Sequence, residues 1–409
     1  MTSTQGLCPA DVEHIDHRET RFAIEPFETW ARLRDTKPVA YSDVYGGFWI
    51  VTGYEQAYEV MRDHETYCSS QGIEHPRNPE LPNIVLIETD PPQHRDYRNI
   101  LNPSFSPRQA DVREPELRTL VTELIDGFIE RGTADLVDEL ARPLPRIVLF
   151  RLLGIPDGIT EHAAGLLHTA TRGVRDDPEG AQRAGIAFYR LLTELVAEQH
   201  NRPPGDDVLS TLLGGIVDGR PVTDDEIARL LIVVLGGGMN TVKSQIAGTL
   251  LYLIEHPEVR QRLIDEPELM QGAVEEFLRH VSPIHGLIRT ATRDTVLGGV
   301  PIAEGDKVYV VLASANRDES EFPGGEGCVL DRKPNRHIAF GLGNHRCIGS
   351  HLARHEFRIA LEEVLRRLPD FRLVADAEIT WDVGSVTRGV ESLPVEFTPG
   401  PRSSSAEIS

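Results

Sequence analysis

One stretch of this 409-residue chain has the residue types and spacing of a reactive centre: HIAFGLGNHRCIG, residues 337–349, which contains Phe340, Gly341, His345, Cys347 and Gly349. Gly341 and Gly343 precede the cysteine and Gly349 follows it, so the backbone can fold closely around a group lying against the sulfur. The next run, SHLARHEFRIALEEVLRRL, is helical in pattern. Cys347 is therefore expected to open a helix, whose first amides and dipole favour thiolate over thiol. A thiolate is a strong donor to haem iron, the ligation that favours O–O cleavage, and amide hydrogen bonds to the sulfur would moderate that donation. Two other readings stand beside this one. A lone buried cysteine is usually a core residue, and a nucleophile would need an acid–histidine arrangement that the loop lacks, with His345 only two positions away.

A second unusual cluster lies in the longest helix. Thr223 can cap it and Glu226 completes a capping box. From there the sequence runs to His256 without a proline, and Pro257 ends it. Such a helix is too apolar for the surface and should cross the middle of the molecule. Gly236, Gly237 and Gly238 sit in its interior, each costing about 1 kcal/mol relative to Ala. Either a flat group approaches the backbone, or the helix opens locally to admit a ligand, or it crosses another helix tightly. A further helix, roughly Glu268 to His280, places Glu276 and Arg279 on one face, a spacing also common in surface salt bridges.

The elements around these segments read as helix with a few short strands. Phe48 to Gly53 is a strand and turn, Tyr54 onward a helix, Leu117 to Arg131 and Ala187 to Gln199 further helices, and Lys307 to Leu312 a strand. Residues 1–20 and the tail 399–409 offer little apolar surface and are expected to be flexible, leaving one domain over 21–398.

Composition narrows the function. The formal charge of -22 argues against nucleic acid as a partner. Cys8, Cys68, Cys328 and Cys347 form no CxxC pair, which argues against a disulfide scaffold or structural zinc. The N-terminus lacks a secretory apolar run, and the most apolar stretch, Leu230 to Met239, is too short to span a bilayer, so a cytoplasmic enzyme without a transmembrane segment is expected.

Together these segments resemble a bacterial soluble cytochrome P450. The loop fits the family pattern FGxGxHxC with glycine two residues on, Glu276 and Arg279 fit its ExxR element, and the likeness covers nearly the whole chain. The resemblance implies a mainly α fold with small β-sheets, a triangular prism-like helical domain around a buried haem b (iron protoporphyrin IX) ligated by Cys347, and a monomer. It implies that Arg332 joins the Glu276–Arg279 pair. His94 and Arg98 in DPPQHRDYR, with Arg289 and His345, are implied as propionate contacts; Arg and His are suitable donors to carboxylates. Gly237, Gly238, Asn240 and Thr241 align with the family's oxygen-binding stretch, in which an acid commonly precedes the threonine. Asn240 departs from it and cannot ionise, so a water chain past Thr241 is expected to carry protons. Where PDPDRFD often appears this chain has Pro323 to Val329, with Cys328 in place of an aromatic packing residue.

The implied reaction is insertion of one oxygen atom from O2 into a C–H bond, hydroxylation or epoxidation, with the protein placing the substrate. Candidate pocket residues are Ile84, Val85, Leu86, Ile87, Val234, Leu235, Ile284, Leu287, Val383, Ser385 and Val386, mostly aliphatic. They predict an apolar terpenoid, steroid-like or polyketide substrate, with His285 a possible polar contact. No flavin domain or iron–sulfur cysteine cluster is present, so electrons are expected from a ferredoxin and its reductase. Arg332, Lys333, Arg336, Arg346 and Arg354 are candidates for a basic docking patch. A peroxygenase or oxidative coupling enzyme, and a haem-dependent sensor or carrier, are the alternative functions.

Overall fold

The helix that begins after Thr223 organises the molecule. In the computed structural model, which describes residues 12–77, 83–172, 177–383 and 386–403, it runs from Asp224 to Glu255, about 48 Å at 1.5 Å per residue. Its start is fixed as the sequence predicts: Glu226 N donates to Thr223 Oγ1 at 3.3 Å and Thr223 N donates to Glu226 Oε2 at 2.9 Å. Arg220 and Tyr97 also donate to Glu226, which holds that carboxyl well below the usual range. By length and composition the helix could cross a membrane. It is instead an interior helix, packed by Pro143–Leu153, Pro178–Gln199, Ser350–Arg367 and the strand Arg388–Ser392.

The glycine cluster does not open this helix, which stays α-helical throughout. Two of the three causes weighed for it divide the cluster instead. A Cβ on Gly238 would lie 2.6 Å from Leu149 Cδ1, so this glycine permits a tight crossing with Pro143–Leu153. Gly236 and Gly237 have nothing within 4 Å of that position, because they border a cavity.

The fold is mainly helical, with small sheets at its margin. The largest sheet has six strands in the order Val12–Glu13, Val39–Ser42, Phe48–Val51, Lys307–Val310, Leu287–Ala291 and Tyr67–Cys68. Phe48–Val51 and Lys307–Val310 run parallel, and Leu287–Ala291 pairs antiparallel with Lys307–Val310. That register sets Arg289 opposite Val308 and fixes where the guanidinium leaves the sheet. The strand read as reaching Leu312 stops at Val310; Leu312 begins a short helix.

The chain ends differ from expectation at their inner margins. Val12–Glu13 pairs with Tyr41–Ser42, and Ile15 and His17 are buried, so the expected flexible segment does not reach residue 20. At the other end Ser403 N donates to Asp126, and Arg367 donates to the Pro401 carbonyl at 2.9 Å, anchoring 401–403.

Glu276 and Arg279 lie on the helix Met270–Val281, which starts just after a 3-10 turn at Pro267–Leu269. They are not a surface pair: both side chains are 0% exposed. Arg279 Nε and Nη2 donate to Glu276 at 2.9 and 2.7 Å, and Arg332 Nε donates to the same carboxylate at 3.1 Å.

Candidate active site

The cysteine loop is closed by its own backbone: Gly341 and Gly343 both adopt φ near +65°, a conformation side chains disfavour, and Cys347 N donates to the Phe340 carbonyl at 2.8 Å. The expectation that Cys347 opens the helix needs correcting. The helix begins at Ser350, with Gly349 as its N-cap, so the cysteine stands three residues before it. The reason is the Cys347–Phe340 bond, which holds the residue in the loop. Cys347 lines a cavity of about 890 Å³ and is exposed. Burial pushes the Cys347 thiol up, while the Gly349 amide and the charges of Arg98, Arg354 and Arg346 act to lower it. Coordination to a cation would decide that contest for the thiolate.

The same cavity is bordered by Gly236, Gly237, Gly238, Asn240 and Thr241 of the central helix. Thr241 Oγ1 donates to the Gly237 carbonyl at 2.8 Å, which leaves its oxygen lone pairs available as acceptors. His94, Arg98, Arg289, Phe340, Gly341, His345 and Gly349 line it as well.

Four nitrogen-rich side chains meet there with too few acceptors. Arg289 is 3% exposed, makes no ion pair among the described residues, and donates to the Ile288 carbonyl; burial lowers its pKa to about 10. Arg98 Nη1 donates to the Arg346 carbonyl at 2.8 Å. The His94 and His345 rings lie 4.3 Å apart, and burial lowers them to about 4 and about 3, so both are neutral imidazoles near pH 7. His345 Nε2 is buried without a hydrogen-bond partner, the nearest carboxylate oxygen, on Asp90, being 4.0 Å away. Buried donors of this kind call for anionic acceptors. A flat group carrying two carboxylates, with a metal at the Cys347 sulfur, fits these residues, and the open space beside Gly236, Gly237 and Gly349 accommodates its plane.

Of the residues expected to contact substrate, Ile84, Leu86, Ile87, Val234, Ile284, Leu287 and Val386 line the cavity. Leu235 does not: it is 0% exposed and faces the packed core on the helix's other side. Val85 packs against the core and does not line the cavity. Ser385 lies outside the described residues, as does the side chain of Val383. His285 is a buried acceptor for Trp30 Nε1 at 2.6 Å and lines no part of the cavity.

The expected basic patch is also smaller. Arg332 is spent on Glu276, and Arg354 donates to Glu275 at 2.6 and 2.8 Å. Lys333, Arg336 and Arg346 stay exposed, with Arg336 paired to Glu321.

Sequence reasoning missed Gln245 and Glu356, both in the cavity wall. The signal was available for Glu356, a carboxylate within the apolar stripe Leu352, Ile359, Ala360 of its helix. It also missed the polar residues Asp16, Arg18 and Glu19 of the N-terminal segment that was expected to be flexible, and Tyr45 and Glu74 from later in the chain, all of which line the cavity.

Comparison with known proteins matches this geometry. The family model "Cytochrome P450" matches residues 182–372. A steroid C26-monooxygenase of Mycolicibacterium smegmatis is 34% identical over 376 residues, 91% of this chain and 92% of that protein. Mycinamicin IV hydroxylase/epoxidase of Micromonospora griseorubida is 35% identical over 378 residues, 90% of this chain and 94% of that protein. Among solved structures, CYP109E1 from Bacillus megaterium in complex with testosterone superposes with a TM-score of 0.85 at 29% identity, covering 93% of this chain and 99% of that one.

Proposed function

Because this chain belongs to the cytochrome P450 family of haem-thiolate monooxygenases, which hold haem b through an axial cysteine thiolate, we propose that Cys347 is that ligand and that the cavity above it takes an apolar molecule of steroid or macrolide-ring size. The observation that carries this reading is the convergence on one cavity of Cys347, the buried Arg289, the His345 Nε2 that lacks a hydrogen-bond partner, and the Thr241 face of the central helix. When bound, haem supplies the binding and reductive activation of O2.

The remaining work belongs to the chain. Arg289, Arg98 and His345 bind the two propionates, His94 packing beside His345; these charge-assisted bonds use donors that are already buried and ordered. Thr241 Oγ1 hands protons forward, and Asn240 holds water without ionising. Substrate is oriented by Ile84, Leu86, Ile87, Val234, Ile284, Leu287 and Val386, which exclude water from the C–H bond that reacts. The names of the steroid and mycinamicin relatives support a rigid, largely hydrocarbon substrate. Electrons come from a ferredoxin that meets the exposed Lys333, Arg336 and Arg346.

Spectroscopy tests the reading directly. The reduced carbon monoxide complex of purified holoprotein is expected to have the red-shifted band of thiolate ligation, and steroid or macrolide ligands to move the iron towards high spin by expelling water. Titration with a panel of both classes identifies the better fit; polar ligands binding more tightly than either would overturn the substrate assignment.

The proton route gives a second expected result. Thr241→Ala should lower product formed per electron by roughly tenfold to a hundredfold, the electrons appearing as hydrogen peroxide. Asn240→Asp should raise coupling or leave it near wild type. If Thr241→Ala matched wild type in product and peroxide, the assignment of this hydroxyl would be wrong.

A further inference from the structure

Glu88 is 4% exposed and does not line the cavity, yet two residues of the cavity wall hang from its carboxylate. Ile73 N donates to its Oε1 at 3.1 Å, and Ile84 N donates to its Oε2 at 2.9 Å. Both isoleucines line the cavity, as do Glu74, Leu86 and Ile87 beside them.

Three further contacts fix this arrangement. Arg77 Nη2 donates to Glu88 Oε2 at 3.2 Å and to Asn83 Oδ1 at 2.9 Å, and Asn83 Nδ2 donates to the Ser70 carbonyl at 2.7 Å. Gly72, with φ +103°, leaves room for the arginine stem, since a Cβ there would lie 2.5 Å from Arg77 Cδ. The Ile73 carbonyl accepts from Ile288 N at 2.8 Å, so Ile73 is held on its other side by the strand Leu287–Ala291, which carries Leu287 to the cavity.

A carboxylate taken out of water is costly unless its oxygens are satisfied. Here two main-chain amides and a guanidinium satisfy it, and bonds to an ionised acceptor are roughly twice as strong as those between neutral groups. The amide donors belong to the wall residues themselves. The carboxylate therefore fixes where Ile73 and Ile84 stand relative to each other and to the strand behind them. Without it their amides would turn to water, and the wall would open locally into several shapes. We propose that Glu88 is a positioning residue for substrate specificity: it touches no substrate, and by spacing Ile73 and Ile84 it sets the size and shape of the apolar molecule that the cavity accepts. Bulky molecules that pack against this wall feel its loss, whereas small ligands of the iron do not.

This inference rests on the reading of the cavity as the haem and substrate site, and its test separates the two. The holoprotein is titrated with two nitrogen ligands of haem iron: imidazole, a small ring, and clotrimazole, an imidazole carrying a bulky aromatic body that must pack against the cavity wall. Glu88→Gln keeps the size of the side chain but leaves one acceptor oxygen for three donors. It should bind clotrimazole about tenfold more weakly and imidazole within about twofold of wild type. Glu88→Asp keeps the charge and both oxygens and should recover part of the loss. In ligand-free holoprotein, amide hydrogen exchange at Ile73 and Ile84 should be about tenfold faster in Glu88→Gln, with the cysteine loop unchanged. Arg77→Gln, at a side chain 23% exposed, removes one donor and leaves both amide bonds; it should fold normally and bind clotrimazole about threefold more weakly. Unchanged exchange at Ile73 and Ile84 in Glu88→Gln, or equal effects on the two ligands, would overturn the proposal. If Glu88→Gln yields no holoprotein, Arg77→Gln decides, and a wild-type ratio of the two affinities there counts against it. Failure of imidazole to reach the iron of the wild type would sink the underlying reading, whereas exchange at Ile73 and Ile84 answers for this inference alone.

Discussion

Replacing Cys347 with alanine is expected to abolish thiolate ligation and reduce oxygen insertion by at least about a thousandfold, more than removal of a single preorganised donor costs in other enzymes. The fold should survive, because the loop is held by the Cys347 amide on the Phe340 carbonyl and by the positive φ of Gly341 and Gly343. None of these uses the sulfur. Haem should still bind through the Arg289, Arg98 and His345 donors, more weakly and without the red-shifted carbon monoxide band. Cys347→Ser keeps a donor atom, yet its hydroxyl resists ionisation and should restore little activity. Retention of the thiolate band in Cys347→Ala would mean that another sulfur reaches the iron. Among the described residues only Cys68 and Cys328 are available, and neither lines the cavity.

This loop was legible in the sequence because its chemistry is local. Glycine positions, the cysteine and the helix after it lie within a few residues, so spacing alone conveys the geometry. The central helix was legible for the same reason, its capping box and terminal proline being read directly. What escaped depends on contacts distant in sequence. Gly238 answers to Leu149, and Arg354 to Glu275, so neither the glycine's purpose nor the arginine's unavailability is written nearby. Leu235 and Val234 are adjacent and equally apolar, and only the direction of the helix face decides that one lines the cavity and the other the core. Glu356 carried a signal, a carboxylate in an apolar stripe, that becomes informative once its lack of a cation is known. The N-terminal segment misled because its polar composition hid contacts distant in sequence, the strand pair of Val12–Glu13 on Tyr41–Ser42, the Ile15 backbone on Ser42 and the Tyr45 hydroxyl on Asp16, and Asp16 and Arg18 line the cavity.

The ExxR pair shows most sharply how burial changes an expected effect. On an exposed helix, removing Glu276 would cost well under about 1 kcal/mol. Here the carboxylate is fully buried and accepts from Arg279, Arg332, the Val329 amide at 2.7 Å and Asn335 at 3.0 Å. Arg279 also donates to the carbonyls of Asn316, Gly325 and Gly327, and Asn316 Oδ1 accepts from Ile338 N at 2.8 Å, just before the cysteine loop. Glu276→Ala would leave a buried arginine uncompensated, a loss of about 3 to 5 kcal/mol, comparable to much of the stability of an ordinary domain. The expected result is little recoverable holoprotein at 37 °C. At lower temperature the denaturation midpoint should fall and the carbon monoxide band weaken, since the loop that presents Cys347 is tied to this network. Glu276→Gln keeps size and one acceptor and should fall between. Burial pushes the Glu276 carboxyl up, but Arg279 and Arg332 overcome it, so its folded pKa lies below its ordinary 4.5. Its contribution is therefore complete above about pH 4.5 and fades as pH falls through the lower folded value, which Glu276→Gln should not reproduce. A Glu276→Ala protein losing less than about 1 kcal/mol would return the pair to the surface class and sever the link drawn between this network and the cysteine loop.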